Sequence, residues 1–342
     1  MSKKPAILLI YTGGTIGMIK DFSTGALKAF NFDQLLERIP ELNLLDCTIA
    51  TYSFETPIDS SDMSPEHWVS MVTIIEKHYQ QYDGFVILHG SDTMSYSASA
   101  LSFMLQNLQK PVVLTGSQLP IGDLRTDAKE NLITAIQVAS IQKNGKPVIQ
   151  EVCLYFEYKL YRGNRTTKVS AELFNAFTSP NVPHLAESGV HFKINEALLL
   201  KTEATKELAV FKTMDTRVMI LKLFPGINQS MFESILSIAS LKGLILETYG
   251  SGNAPTETWF LSCLNKAIQQ GLKVVNVTQC SGGSVNMGQY ETSTEMKEIG
   301  VISGKDITTE AAITKLMFLL GQQVDDRNFK AVFEQAICGE ME

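Results

Sequence analysis

Four short clusters of hydroxyls and acids, each directly after an apolar run, carry the residue types of a hydrolytic site: YTGGTIG at 11–17, ETPIDSSDM at 55–63, LHGSDTM at 88–94 and YRGNRTTK at 161–168. A hydroxyl nucleophile needs a group to take its proton and a charge partner that keeps that group poised. Thr15 and Ser91 supply hydroxyls, Asp92 a carboxylate and Lys168 an amine, a hydrolytic set that needs no histidine. Asp59, Ser60 and Ser61 combine an acid with paired hydroxyls, which suits the ammonium and carboxylate ends of a free amino acid.

Each cluster also has a purely structural reading. The two glycines of YTGGTIG allow a tight turn in which Thr12 and Thr15 only cap backbone groups. Ser91 or Asp92 fits the N-cap of a following helix, and Asp59 with its serines fits an Asx or Ser turn. Lys168, beside Arg162 and Arg165, fits a solvated basic loop. His89 reads as a packed residue supporting the site before it reads as a base. The glycine loop lacks both the G-x-G-x-x-G spacing and the Gly-Lys-Ser/Thr ending of phosphate loops, which demotes a nucleotide role. The conjunction of the four clusters favours catalysis, on one condition: the loop bearing Lys168 must fold back beneath Ser91.

The elements that would position these residues are legible as hydrophobic patterning. Runs 6–11, 84–88, 111–115 and 151–156 are short, apolar and bounded by Gly, Pro or polar residues, as buried parallel strands should be. Helical patterns lie between them at 64–80, where Ser64 can cap and Pro65 suits the first position, and at 127–142. Strand and helix alternate, which predicts an α/β fold with the clusters at strand ends, where ligands of open α/β sheets bind. The alternation fades over 178–213 and resumes with strands at 218–224, 243–247 and 273–278 and helices near 229–241, 256–270 and 308–321. The expected organisation is a larger N-terminal α/β domain at 1–190 with a mostly parallel sheet, a linker at 191–213 and a smaller α/β domain at 214–342.

The 342 residues exceed what one core usually supports, and 44% hydrophobic with 19% charged residues describes an ordinary globular chain. A net charge of -7 argues against binding a phosphate backbone, so no nucleic-acid partner is expected. The run AILLIY is too short for a signal-peptide core or a membrane span, and no membrane partner is expected. Five scattered cysteines without a C-x-x-C pair predict reduced thiols in the cytoplasm and argue against a structural zinc site.

The clusters, in this order and spacing, resemble those of L-asparaginases, specifically the bacterial cytoplasmic, or type I, branch. YTGGTIGM, DSSDM, DGFVILHG-DTM, SALSFML-NL-KPV, LYRGNRTTK, TQC and VNMG-Y carry the likeness essentially from end to end. The resemblance implies a left-handed crossover in the N-terminal domain, and homodimers or homotetramers whose active sites lie at subunit contacts. It implies hydrolysis of L-asparagine to L-aspartate and ammonia, with Thr15 as primary nucleophile and Ser91, Asp92 and Lys168 as the proton-handling triad. Asp59, Ser60, Ser61, Ser91 and Asp92 match positions that hold the substrate. A broader glutaminase-asparaginase, an archaeal amidotransferase subunit and a non-catalytic amino-acid sensor are the rival readings. Intact Thr15 and Lys168 argue against the sensor, and no extra N-terminal domain supports the amidotransferase.

Three departures from the family pattern stand out. Ser91 replaces a threonine, keeping the hydroxyl and losing a methyl that restricts its rotamers. Ala26 falls where many relatives place a tyrosine against the nucleophile, and Tyr290 is the substitute the sequence offers. Glu247 stands where some type I enzymes use an arginine to bind allosteric asparagine, while Thr167 and Cys280 match other positions near that site. An acid cannot replace an arginine fork on a carboxylate, so the switch is expected to be absent or rewired.

Overall fold

A computed structural model describes residues 4–20, 27–29, 39–203, 205–288 and 291–342. The chain divides into two compact units, Met1–Phe211 and Lys212–Glu342.

The first unit is built on an eight-stranded sheet. Its strands are β1 (Ala6–Gly13), β2 (Thr48–Ile58), β3 (Gly84–Leu88), β4 (Val112–Thr115), β5 (Val152–Phe156), β6 (Lys159–Arg162), β7 (Ala186–Glu187) and β8 (Lys193–Ile194), in the spatial order β8-β7-β6-β5-β4-β3-β1-β2. The first five are mutually parallel and the last three add antiparallel. Every residue of β3, β4 and β5 is buried, so apart from the terminal Thr115 these strands are apolar instead of alternating. Ile7, Leu9, Tyr11, Val86, Leu88, Val113, Cys153 and Tyr155 share one face and pack with Leu132, Ala135, Ile136 and Ala139 of the helix Ala128–Ser140. The helices Pro65–His78 and Met94–Met104 supply the other buried residues, among them Trp68, Met71, Ala98 and Leu101. At the first of these, Pro65 sits in the opening turn and the Ser64 N–H donates to His67 Nδ1 at 3.1 Å.

The register brings the strand ends to one edge. Gly13 stands beside Ile58, Tyr11 beside Leu88, and Leu88 beside Thr115. The segments after β1, β2, β3 and β4 therefore leave the sheet together.

The region 191–213, read from sequence as a linker, contains β8 and the two-residue strand Ala209–Val210, which pairs antiparallel with Leu105–Gln106. The second unit holds a parallel sheet of β9 (Val218–Lys222), β10 (Gly243–Thr248), β11 (Lys273–Thr278) and β12 (Ile302–Ser303), in that order. Phe232, Phe260 and Leu264 of the helices Gln229–Leu236 and Thr258–Gln269 pack with Leu244, Leu246 and Val274. The first of these helices ends five residues before the patterned position, because the chain passes through reverse turns at Ile238 and Leu241. Among the described residues no helix is long and apolar enough to cross a membrane, and no group of three or more His, Cys, Asp or Glu could hold a metal ion.

Candidate active site

The close approach of three loops at the strand ends rests on glycine. Gly13 and Gly14 have φ of +137° and +83°, and a Cβ on Gly14 would lie 2.4 Å from the Gly90 nitrogen. A Cβ on Gly13 would lie 2.1 Å from the Ile58 carbonyl oxygen, and one on Gly90 would lie 2.5 Å from Ser60 Oγ. Side chains at these positions would drive the loops apart. Their absence lets the turn after β1 rest on the start of 59–61 and of 90–92.

Thr15 opens a 3₁₀ turn, Thr15–Gly17, closed by Gly17 N–H donating to the Gly14 carbonyl. The Tyr11 hydroxyl donates to the Gly17 carbonyl at 3.2 Å, and burial pushes that phenol up to about 12, so it stays a neutral donor. Thr12 and Thr15 part company here. The Thr12 hydroxyl is buried and donates to the Leu88 carbonyl, the backbone-capping role. The half-buried Thr15 hydroxyl has no hydrogen-bond partner among the described residues.

Asp59 exits β2 and accepts from both the N–H and the hydroxyl of Ser61 through one oxygen, at 2.9 Å each. These bonds, the backbone one first, hold its carboxyl below the usual carboxylate range. The turn reading of this cluster is therefore what the backbone does, and it leaves an exposed, ionised acid beside the buried Ser60.

Ser91 and Asp92 do not cap. The helix begins at Met94, its N-cap is Thr93, and the Thr93 hydroxyl donates instead to the Ser60 carbonyl at 2.7 Å. The side chains of Ser91 and Asp92 turn to Lys168, whose Nζ lies 2.9 Å from Ser91 Oγ and 2.6 Å from Asp92 Oδ1. The Lys168 side chain is 16% exposed and that of Asp92 is 66% exposed.

The solvated-loop reading of YRGNRTTK also fails, for a packing reason. Arg162 is buried against Glu151, Nε to Oε2 at 2.7 Å, and donates to the Leu198 carbonyl. Gly163 lies so close to the helix Met94–Met104 that a Cβ there would be 3.0 Å from Ala98 Cβ. The Thr166 hydroxyl then donates to Ser95 Oγ at 3.0 Å. The chain is thus held along that helix toward its N-terminus, where Lys168 meets Ser91.

The sequence reading missed Gln118. Its Oε1 accepts from the Ser91 hydroxyl at 3.2 Å, its Nε2 donates to the Leu173 carbonyl, and its N–H donates to Asp127. A signal was present, since TGSQLP directly follows β4, a fourth strand end on the same edge. His89 is wholly buried and lies behind the loop as a packed residue. Ala26 and Tyr290 fall outside the described residues.

Glu247, at the end of β10, accepts from the Thr309 hydroxyl at 2.6 Å, at the first residue of the helix Thr309–Gly321. A carboxylate is favoured there by the helix dipole, and an arginine would not be. The exposed Cys280 donates its N–H to the Thr278 hydroxyl oxygen, and Thr167 pairs with Thr178.

Family models match both units: the asparaginase N-terminal domain over residues 6–199 and the glutaminase/asparaginase C-terminal domain over residues 217–333. The chain belongs to the asparaginase family. It is 44% identical to L-asparaginase 1 of Escherichia coli K12, over 99% of this chain and 98% of that protein. The crystal structure of L-asparaginase I from Vibrio cholerae aligns with a TM-score of 0.90 at 40% identity, covering 99% of each chain. A 60 kDa lysophospholipase of Mus musculus is 42% identical, and this chain spans 63% of its length. The structure brings a Lys-Ser-Asp cluster to the sheet edge from which Thr15 also emerges. The chemistry such a set can perform is acyl transfer from an amide to a hydroxyl and then to water.

Proposed function

We propose that this protein hydrolyses L-asparagine to L-aspartate and ammonia through an aspartyl ester on Thr15. The observation that carries the reading is the meeting of Lys168 with both Ser91 and Asp92 at the sheet edge from which Thr15 also emerges. The relatives named asparaginase over their whole length support the same activity.

Asp59, ionised and exposed, suits the substrate ammonium, and Asp92 offers the oxygen that Lys168 leaves unused. The Ser60 hydroxyl suits the substrate carboxylate, and Ser61 joins it by turning its hydroxyl away from Asp59. Holding a small zwitterion by both charged ends places its side-chain amide within reach of a weak nucleophile. Thr15 attacks the amide carbon while backbone N–H groups near Ser91 steady the oxyanion. The Ser91, Asp92 and Lys168 group moves the proton to the departing ammonia, and water cleaves the ester. No step needs a metal or cofactor.

The protein is proposed to act in the cytoplasm as a homodimer or homotetramer. Ammonia release from L-asparagine and from L-glutamine, measured side by side, tests the reading. A kcat/KM at least tenfold higher for L-asparagine is expected, within the ~1–3 kcal/mol that one methylene can supply. Equal rates would make it a broad glutaminase-asparaginase, and tight binding without ammonia release would make it a sensor.

A further inference from the structure

One buried titratable group behind the site has no part in the proposed chemistry. His89, at the end of β3, is fully buried, with Nδ1 2.6 Å from the Gly90 carbonyl oxygen and Nε2 2.8 Å from Ser97 Oγ. A carbonyl can only accept, so Nδ1 carries the proton. Burial holds His89 down to about 4, so the ring is neutral and Nε2 is an acceptor for the Ser97 hydroxyl. Trp68 Nε1 donates to the same Ser97 oxygen at 2.9 Å, which completes a directional chain from Trp68 through Ser97 and His89 to Gly90.

We propose that His89 is a positioning residue whose Nδ1–H holds the Gly90 carbonyl toward the interior and so turns the Ser91 N–H into the site as an oxyanion donor. The C=O and N–H of a trans peptide point in opposite directions, and the chain has no cis bond among its described residues. Fixing the oxygen against His89 therefore fixes the direction of the N–H one residue on. Consistent with that role, the Ser91 N–H has no acceptor among the described residues. The peptide also lies beside the turn that carries Thr15, since a Cβ on Gly14 would fall 2.5 Å from the Gly90 Cα, and Lys168 Nζ reaches Ser91 Oγ. Residue 90 must be glycine to clear Ser60, and its ψ, one of the two torsions that orient this peptide, has no side chain to restrict it, so the bond to His89 supplies the restraint.

The inference rests on the acyl-transfer reading above, and its test separates the two. Asparagine places an amide N–H near the Nδ1 position of histidine, and glutamine places one near Nε2. His89→Asn should keep kcat within about threefold of the parent enzyme, because the bond to Gly90 survives. His89→Gln and His89→Leu should lower kcat by about 10- to 100-fold at nearly unchanged KM, short of the ~10²–10³ seen when an oxyanion donor is deleted outright. Equal losses for Asn and Gln, or losses that follow Tm or appear in KM, would overturn the proposal. If the variants do not fold, nitrogen NMR of the parent enzyme decides: Nδ1 protonated supports it and Nε2 protonated ends it. Turnover surviving in Thr15→Ala would sink the acyl-transfer reading itself. An inactive Thr15→Ala with the wrong His89 order would sink only this inference.

Discussion

Replacing Lys168 by methionine would keep an aliphatic stem of similar length and remove the amine that touches Ser91 and Asp92 at 2.9 and 2.6 Å. The two expected effects differ widely in size. The Asp92 side chain is 66% exposed, so solvent screens the pair and its loss costs at most ~1 kcal/mol of stability. That corresponds to a fall in Tm of ~2–4 °C. Loss of a group that moves protons in the transition state lowers kcat by ~10²–10⁴, or about 3–5 kcal/mol of barrier. Initial rates of ammonia release at saturating L-asparagine, read beside a thermal melt, separate the two. A Lys168→Met enzyme that melts normally and retains kcat within about tenfold of the parent would refute the reasoning, because the amine would then be structural only.

Gly14→Ala puts a Cβ 2.4 Å from the Gly90 nitrogen at φ +83°, so a destabilisation of more than ~2 kcal/mol and a displaced Thr15 turn are expected; a denaturant midpoint equal to that of the parent would contradict this. His89 is held near pH 4 in the fold against 6.5 when free, so between those values the unfolded chain binds a proton that the folded one refuses. Stability should therefore fall as pH drops from about 6.5 to about 4, by ~3 kcal/mol in total, and His89→Asn should flatten that part of the profile in urea titrations. With Glu247 seated at a helix N-terminus, saturation by L-asparagine should be hyperbolic; a Hill coefficient well above ~1, lost on changing Cys280 or Thr167, would show a working allosteric site.

Strands β3, β4 and β5 were legible because their burial is total. GFVIL, VVLT and VCLYF contain no polar residue except the terminal Thr115, and only a strand covered on both faces tolerates that composition. The helix Pro65–His78 was legible from Ser64 and Pro65, which are local signals. The position of Lys168 was not, because it depends on events far from it in sequence. These are the hairpin of β5 and β6, the Glu151–Arg162 pair and the close approach of Gly163 to Ala98. Cap and site residues could not be told apart at 91–93 either, since serine, aspartate and threonine all suit both tasks. The structure separates them through one bond, Thr93 to the Ser60 carbonyl, that joins two clusters 33 residues apart. Glu247 shows the same limit, because its use depends on Thr309, 62 residues on.

The nucleophile is the claim on which the mechanism turns, and mass spectrometry of enzyme quenched by acid during turnover of L-asparagine addresses it directly. An aspartyl adduct on the peptide that contains Thr15, localised by fragmentation to that residue and absent from Thr15→Ala, is the predicted result. The same adduct on Ser91, or steady turnover by Thr15→Ala, would contradict the account.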